Sequence, residues 1–189
     1  MATGGYIMIR VTTEPLENEP DYADFTCGVP KIDVMVKSSY FRHILRQTRA
    51  YRIVAAGKNV GYYELSISRL ELSDTSIEYA DCGDGELTYA VVVIRYLAVD
   101  KRVQNIGIGS VVLNRIINQI VKLGMEWPIR AVVFDAIDER VEWYKNRGFM
   151  PTKEESHSKK LGSTEMYFDI MPSKEKQRIS EYCKEYIEE

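Results

Sequence analysis

With 189 residues, 45% of them hydrophobic and 28% charged, the chain can build a substantial core and is not of disordered composition. Its net charge of −3 argues against a uniformly basic nucleic-acid coat, and its apolar stretches, such as Tyr89 to Ile94, fall far short of a membrane span. Three scattered cysteines (Cys27, Cys82, Cys183) and two histidines (His43, His157) form no CxxC pair or ligand cluster, so neither a metal site nor a disulfide framework is expected.

Met1 to Arg10 has no basic start leading into a long apolar run, so no secretory signal is expected and the cytoplasm is the expected address. Tyr6 to Val11 reads as an opening strand. Pro30 suits a first helical position, and Ile32, Met35, Val36, Phe41, Ile44 and Leu45 recur at helical spacing, predicting one or two helices over Pro30 to Gln47. Tyr51 to Ala56 and Val60 to Leu72 are β-rich runs around Gly57 to Gly61, a hairpin signal. A loop over Asp81 to Gly85 precedes Leu87 to Val99, whose nearly continuous apolar character fits a buried central strand. Gly107 opens an amphipathic helix bearing Leu113, Ile116, Ile117, Ile120 and Val121 and ending at Gly124. A strand over Ile129 to Phe134, a helix over Asp138 to Arg147 stopped by Gly148, a strand over Glu165 to Ile170 and a helix from Ser173 to Ile187 follow. The order predicts a mixed α/β fold in one domain, 1–189, with 173–189 as a helical extension.

Charge is unevenly placed. Lys31 to Arg52 carries six Lys or Arg against one acid, whereas Glu71 to Glu86 carries six acids and no Lys or Arg. Arg42, Arg46 and Arg49 fall at i, i+4 and i+7, one face of a helix, which reads either as a phosphate-binding face or as an ordinary solvated one.

Chemistry concentrates in the run from Tyr96 to Gly109. A buried strand ends, a polar loop turns, and Gly107 and Gly109 lead into a helix whose first-turn N–H groups have no internal partner. Such a concave set of donors at a positive helix end suits a diphosphate, with Lys101 and Arg102 flanking it. No Lys-Ser/Thr pair follows the glycines and GxGxxG is incomplete, so neither a P-loop nor a dinucleotide fingerprint is present.

Leu97-Ala98-Val99-Asp100 followed by Gln104-Asn105-Ile106-Gly107-Ile108-Gly109 resembles the acetyl-CoA loop of the GNAT N-acetyltransferases. Ala136 to Glu139 and Trp143-Tyr144-Lys145-Asn146-Arg147-Gly148-Phe149 resemble that family's second signature. Two signatures in order are more specific than either alone. Asp24 to Gly28 and Gly61 to Ser66 add a likeness to GNAT-type toxins of bacterial toxin–antitoxin pairs, which acetylate the α-amine of aminoacyl-tRNA. Tyr96 departs from that branch, where Arg usually precedes Leu-Ala-Val-Asp; here Arg95 stands one place earlier, on the opposite strand face.

The resemblance implies a GNAT fold, a mixed sheet flanked by helices, with acetyl-CoA in a V-shaped gap between two central strands. It implies that Leu97, Ala98 and Val99 pair with the pantetheine arm, that N–H groups of Gln104, Asn105, Ile106, Gly107, Ile108 and Gly109 hold the pyrophosphate, and that Tyr144 serves the departing thiol. An α-amine is about a tenth neutral at pH 7, so it needs little help from a base. Glu64, mid-strand, is a candidate base or simply a solvent-facing acid. Arg42, Arg46 and Arg49 would then meet tRNA. A small-molecule or peptide amine, or a CoA-binding regulatory module without transfer activity, are the alternatives. An antitoxin and a second copy of the chain are the partners implied, with no membrane.

Overall fold

The chain is described by a computed structural model over residues 10–71, 88–152 and 162–187, with backbone only at 180 and 182–187. Residues 6–9 of the expected opening strand, the loop over Asp81 to Gly85 and the acidic run beyond Glu71 lie outside the described residues. Two compact units arise, Met1–Leu65 with Tyr96–Ile116, and Ser66–Arg95 with Ile117–Glu189.

In the first unit, β1 (Val11–Pro15) begins where the predicted strand was to end and pairs antiparallel with β2 (Arg49–Ala55). β2 pairs antiparallel with β3 (Lys58–Glu71) through the expected hairpin. Its turn is tighter than the glycine run suggested: Ala56 (φ 48°) and Gly57 (φ 75°) both adopt the left-handed conformation that matches strand twist. The predicted helical stretch resolves into α1 (Pro30–Lys37) and α2 (Ser39–Ile44). Ser38 marks the break, its hydroxyl donating to the Val34 and Met35 carbonyls at 3.2 Å each. Leu16, Tyr22, Cys27, Val36, Ala50, Tyr62, Tyr96 and Ala98 form the core here, with Phe25 edge-on to Tyr62 at 5.0 Å.

β4 (Thr88–Val99) runs through both units, as does α3 (Ile108–Gly124), which buries Leu113, Ile116 and Ile120 of the stripe read from sequence, leaves Ile117 and Val121 half-buried, and adds Val112. In the second unit, β4 pairs parallel with β5 (Ile129–Ile137) over Ala90 to Val93. β5 extends three residues beyond expectation. A 3-10 turn at Asp138–Arg140 and a short α4 (Val141–Lys145) replace the longer predicted helix. β6 (Met150–Pro151), not predicted, pairs with β7 (Ser163–Asp169), which runs antiparallel to β5. The sheet order is β1-β2-β3-β4-β5-β7-β6, the mixed α/β arrangement that the element order predicted.

α5 (Ser173–Ile187) starts at Ser173, and the Pro172 carbonyl accepts its first bonds, from the N–H groups of Glu175 and Lys176. Asp169 anchors it. That buried carboxylate accepts from Arg130 at 3.0 Å, Lys176 at 2.9 Å and the Met171 N–H at 3.0 Å. Burial pushes the Asp169 pKa up, but these donors together hold it below its ordinary value. No helix among the described residues is long and apolar enough to cross a membrane.

Candidate active site

The end of β4 alternates strictly: Tyr96 and Ala98 are buried, while Leu97 and Val99 face the other side half-exposed. Asp100 N–H donates to Val60 O at 2.8 Å, which fixes the β3 edge of the strand. Gly61 permits the approach, since a Cβ there would stand 2.3 Å from the Ala98 carbonyl oxygen. Backbone groups alternate between edges, so Leu97 and Val99 aim theirs away from β3. The β4–β5 ladder stops at Val93, leaving that outer edge of Leu97 to Val99 with no strand partner among the described residues.

A 3-10 turn, Lys101–Val103, then leads into the glycine loop. Asn105 (φ 63°) and Gly107 (φ 93°) are both left-handed, and the first bond of α3 runs from Val111 N–H to Gly107 O at 3.1 Å. The N–H groups of Ile108 and Gly109 therefore precede the helical ladder. A Cβ on Gly107 or Gly109 would meet nothing within 4 Å, so the loop presents open backbone of the kind a diphosphate needs. Ile108 is the loop's anchor, 4% exposed, and Ile106 its exposed shoulder.

Gln104 turns its side chain inward, Nε2 donating to the Cys27 and Val99 carbonyls at 2.8 Å each, which leaves the role expected of its backbone N–H unaltered. Arg102 folds back onto Asp100 at 2.6 Å and onto the Asp24 carbonyl, rather than standing ready for phosphate. The Arg102 guanidinium in turn holds the Asp100 carboxyl below the usual carboxylate range.

Tyr144 lies in α4 against Phe134 (4.0 Å between ring centroids), Trp143 (4.7 Å) and Phe149 (5.8 Å). Its hydroxyl hydrogen-bonds to no described residue. Burial pushes its pKa up to about 12 against the pull of Arg140 and Arg147. It is thus a neutral donor across the physiological range.

Arg42, Arg46 and Arg49 do not share a helical face. Helix α2 ends at Ile44, Arg46 is left-handed at φ 55°, and Arg49 opens β2. Arg46 and Arg49 are exposed, whereas Arg42 turns inward onto Glu64, donating through Nε at 2.8 Å and Nη2 at 2.6 Å. Glu64 is 0% exposed and also accepts from Thr48, so it is neither solvent-facing nor free to act as a base. Removing either member of so buried a pair would strand a charge, at about 3–5 kcal/mol.

A turn that sequence reasoning passed over backs the loop. Thr26 Oγ1 donates to Asp33 Oδ2 at 2.6 Å and Cys27 N–H to Asp33 Oδ1 at 2.8 Å. Burial pushes the Asp33 pKa up, but the bonds from Thr26 and Cys27 hold it below its ordinary value. Burial and the adjacent Asp33 raise the Cys27 thiol to about 11, so it is no nucleophile near neutrality. The only signal was the Asp24 to Gly28 run, which gave no hint that residue 27 meets residue 104.

No protein-family model matches the chain, and no curated protein matches it in sequence. Solved structures do match. One described as a bacterial toxin superposes with a TM-score of 0.73 at 20% identity, over 94% of this chain and 97% of that one. A tyrosine-to-phenylalanine mutant of KacT gives 0.73 at 19%, over 91% and 98%. AtaT complexed with acetyl-methionyl-tRNAfMet gives 0.72 at 20%, over 85% and 95%. AtaT, a toxin, has also been solved as a tyrosine-to-phenylalanine mutant bound to acetyl-CoA and the C-terminus of the antitoxin AtaR. The chain therefore has the GNAT fold shared by these proteins, as its sequence led one to expect.

Proposed function

We propose that the chain is an acetyl-CoA-dependent N-acetyltransferase acting on a primary amine, the α-amine of aminoacyl-tRNA, as the toxin of a cytoplasmic toxin–antitoxin pair. It would work as one domain over 1–189. The observation that carries the reading is the edge of Leu97 to Val99, without a strand partner among the described residues, running into the open Gly107–Gly109 helix start. The solved likenesses to AtaT, in complexes with acetyl-methionyl-tRNAfMet and with acetyl-CoA, support the acceptor and the donor.

Acetyl-CoA supplies the acetyl group as an activated thioester. The N–H groups of Asn105, Ile106, Gly107, Ile108 and Gly109 hold its diphosphate, aided by the positive end of α3. Leu97 offers both N–H and C=O to the pantetheine amides. Val99 offers its N–H, while its carbonyl already accepts from Gln104. Tyr144 Oη donates a hydrogen bond where the thiol departs. Glu64, buried and bonded to Arg42 and Thr48, is not the base, and an α-amine, about a tenth neutral at pH 7, needs less help from one than a lysine amine does. Arg46, Arg49 and Lys37, all exposed, are among the cations of this run able to meet the RNA backbone once Arg42 is committed to Glu64.

Calorimetric titration with CoA, followed by mass spectrometry of aminoacyl-tRNA, peptides and small amines incubated with acetyl-CoA, tests the reading. CoA uptake with acetylated aminoacyl-tRNA is expected. Acetylation of free amines alone would move the acceptor, uptake without any product would leave a regulatory module, and no uptake would end the assignment.

A further inference from the structure

We infer that Gln104 and Asp33 are positioning residues that hold the Gln104–Gly109 loop in its diphosphate-receiving shape, acting through the Asp24–Gly28 turn; this rests on the function proposed above. The loop contains two left-handed residues within three positions, one of them the non-glycine Asn105. Such backbone persists only where its surroundings hold it. Asn105, Ile106 and Gly107 are all exposed, and no buried side chain of theirs fixes the bend. Restraint comes from the two ends: Ile108, buried in the core, and Gln104.

Gln104 is tied by both carboxamide hydrogens to carbonyls five and seventy-seven residues away, Val99 and Cys27. The turn that supplies the Cys27 carbonyl is stitched to the same stretch twice more, by Lys101 N–H to Thr26 O at 2.9 Å and by Arg102 Nη2 to Asp24 O at 3.1 Å. Asp33 makes that turn rigid from below. One carboxylate oxygen accepts from the Thr26 hydroxyl and the other from Cys27 N–H, while Thr26 Oγ1 accepts from Gly28 N–H at 3.0 Å. Gln104 also takes one of the two lone pairs of the Val99 carbonyl, tying the loop directly to the end of β4.

Three variants test the idea. Gln104→Met keeps the length and loses both donors, Asp33→Ala removes the brace, and Asp33→Asn keeps an acceptor for Cys27 N–H. In the free protein, Gln104→Met and Asp33→Ala should speed amide hydrogen exchange about tenfold at Cys27, Lys101 and Val111, whose N–H groups are bonded within the turn and at the start of α3, the scale of one lost net hydrogen bond. With substrate, both should raise KM for acetyl-CoA about tenfold while kcat stays within about threefold. Asp33→Asn should restore most of each loss. The double variant Gln104→Met/Asp33→Ala should be little worse than either single one, because the two act through one assembly. Unchanged exchange in Gln104→Met overturns the inference, as does a fall in kcat at unchanged KM. If the wild-type protein takes up no CoA the proposed function fails, whereas the exchange measurement still decides whether the loop is braced.

Discussion

The Tyr144 hydroxyl is set among aromatic carbon, and its proton is correspondingly hard to remove. From a pKa of about 12, full transfer to a thiolate of about 8.5 is uphill by about 5 kcal/mol, so the role proposed for this side chain is a donated hydrogen bond and not complete proton transfer. Tyr144→Phe preserves the ring packing on Phe134 and Phe149. Steady-state kinetics should show kcat lowered about 10²-fold or more, with CoA affinity within about twofold. Turnover equal to wild type would take Tyr144 out of the mechanism. The aromatic pair before Gly148-Phe149 was legible in sequence. The direction of the Tyr144 shift was not, because Phe134 comes from strand β5 and Tyr144 from helix α4. Glu64 makes the same point from the other side. A mid-strand acid reads as solvated until Arg42, twenty-two residues upstream, closes over it.

Elements were legible where their own periodicity set them. α3 carries its apolar stripe and both glycine boundaries in the sequence, and β4 its uninterrupted apolar run. Boundaries failed where a neighbour decides: Ser38 splits the first helix by capturing two carbonyls, and the left-handed Arg46 ends any helical face for the arginines. β6 is two residues long and exists only by pairing with β7. The tightest constraint between elements is Gly61. A methyl there meets Ala98 O at 2.3 Å and the Val99 Cα at 3.1 Å, so backbone must move. Gly61→Ala should cost about 2–3 kcal/mol in chemical denaturation and should weaken CoA binding, since the displaced residues are those proposed to hold the pantetheine arm. A variant as stable as wild type would mean that β3 and β4 separate more readily than their contact implies.

Across the molecule, buried phenols set a limit at high pH. Tyr22, Tyr62, Tyr63, Tyr96 and Tyr144 all have pKa values raised, in each case first by burial, with Tyr63 and Tyr144 pushed up to about 12. An unfolded chain loses these protons near 10 while the folded one retains them. Their contribution to stability is therefore complete below pH 10 and is lost as pH rises through the folded values. Melting temperature should fall steeply above pH 10, in step with tyrosinate absorbance; a flat profile to pH 12 would contradict the burial of these hydroxyls. The carboxylates act at the opposite end. Asp33, Asp100 and Asp169 are held below 3.8, so their contribution is present above that value and fades as acid protonates them.

The chain's two tryptophans differ sharply in surroundings. Trp127 is 63% exposed, whereas Trp143 carries the Arg147 guanidinium 3.7 Å above its ring and touches Tyr144 edge-on. A Trp127→Phe chain would keep a single tryptophan, excitable apart from the tyrosines, beside the tyrosine proposed to serve the leaving thiol. The protein is built with its own optical reporter, and occupancy of that neighbourhood can be followed without a label.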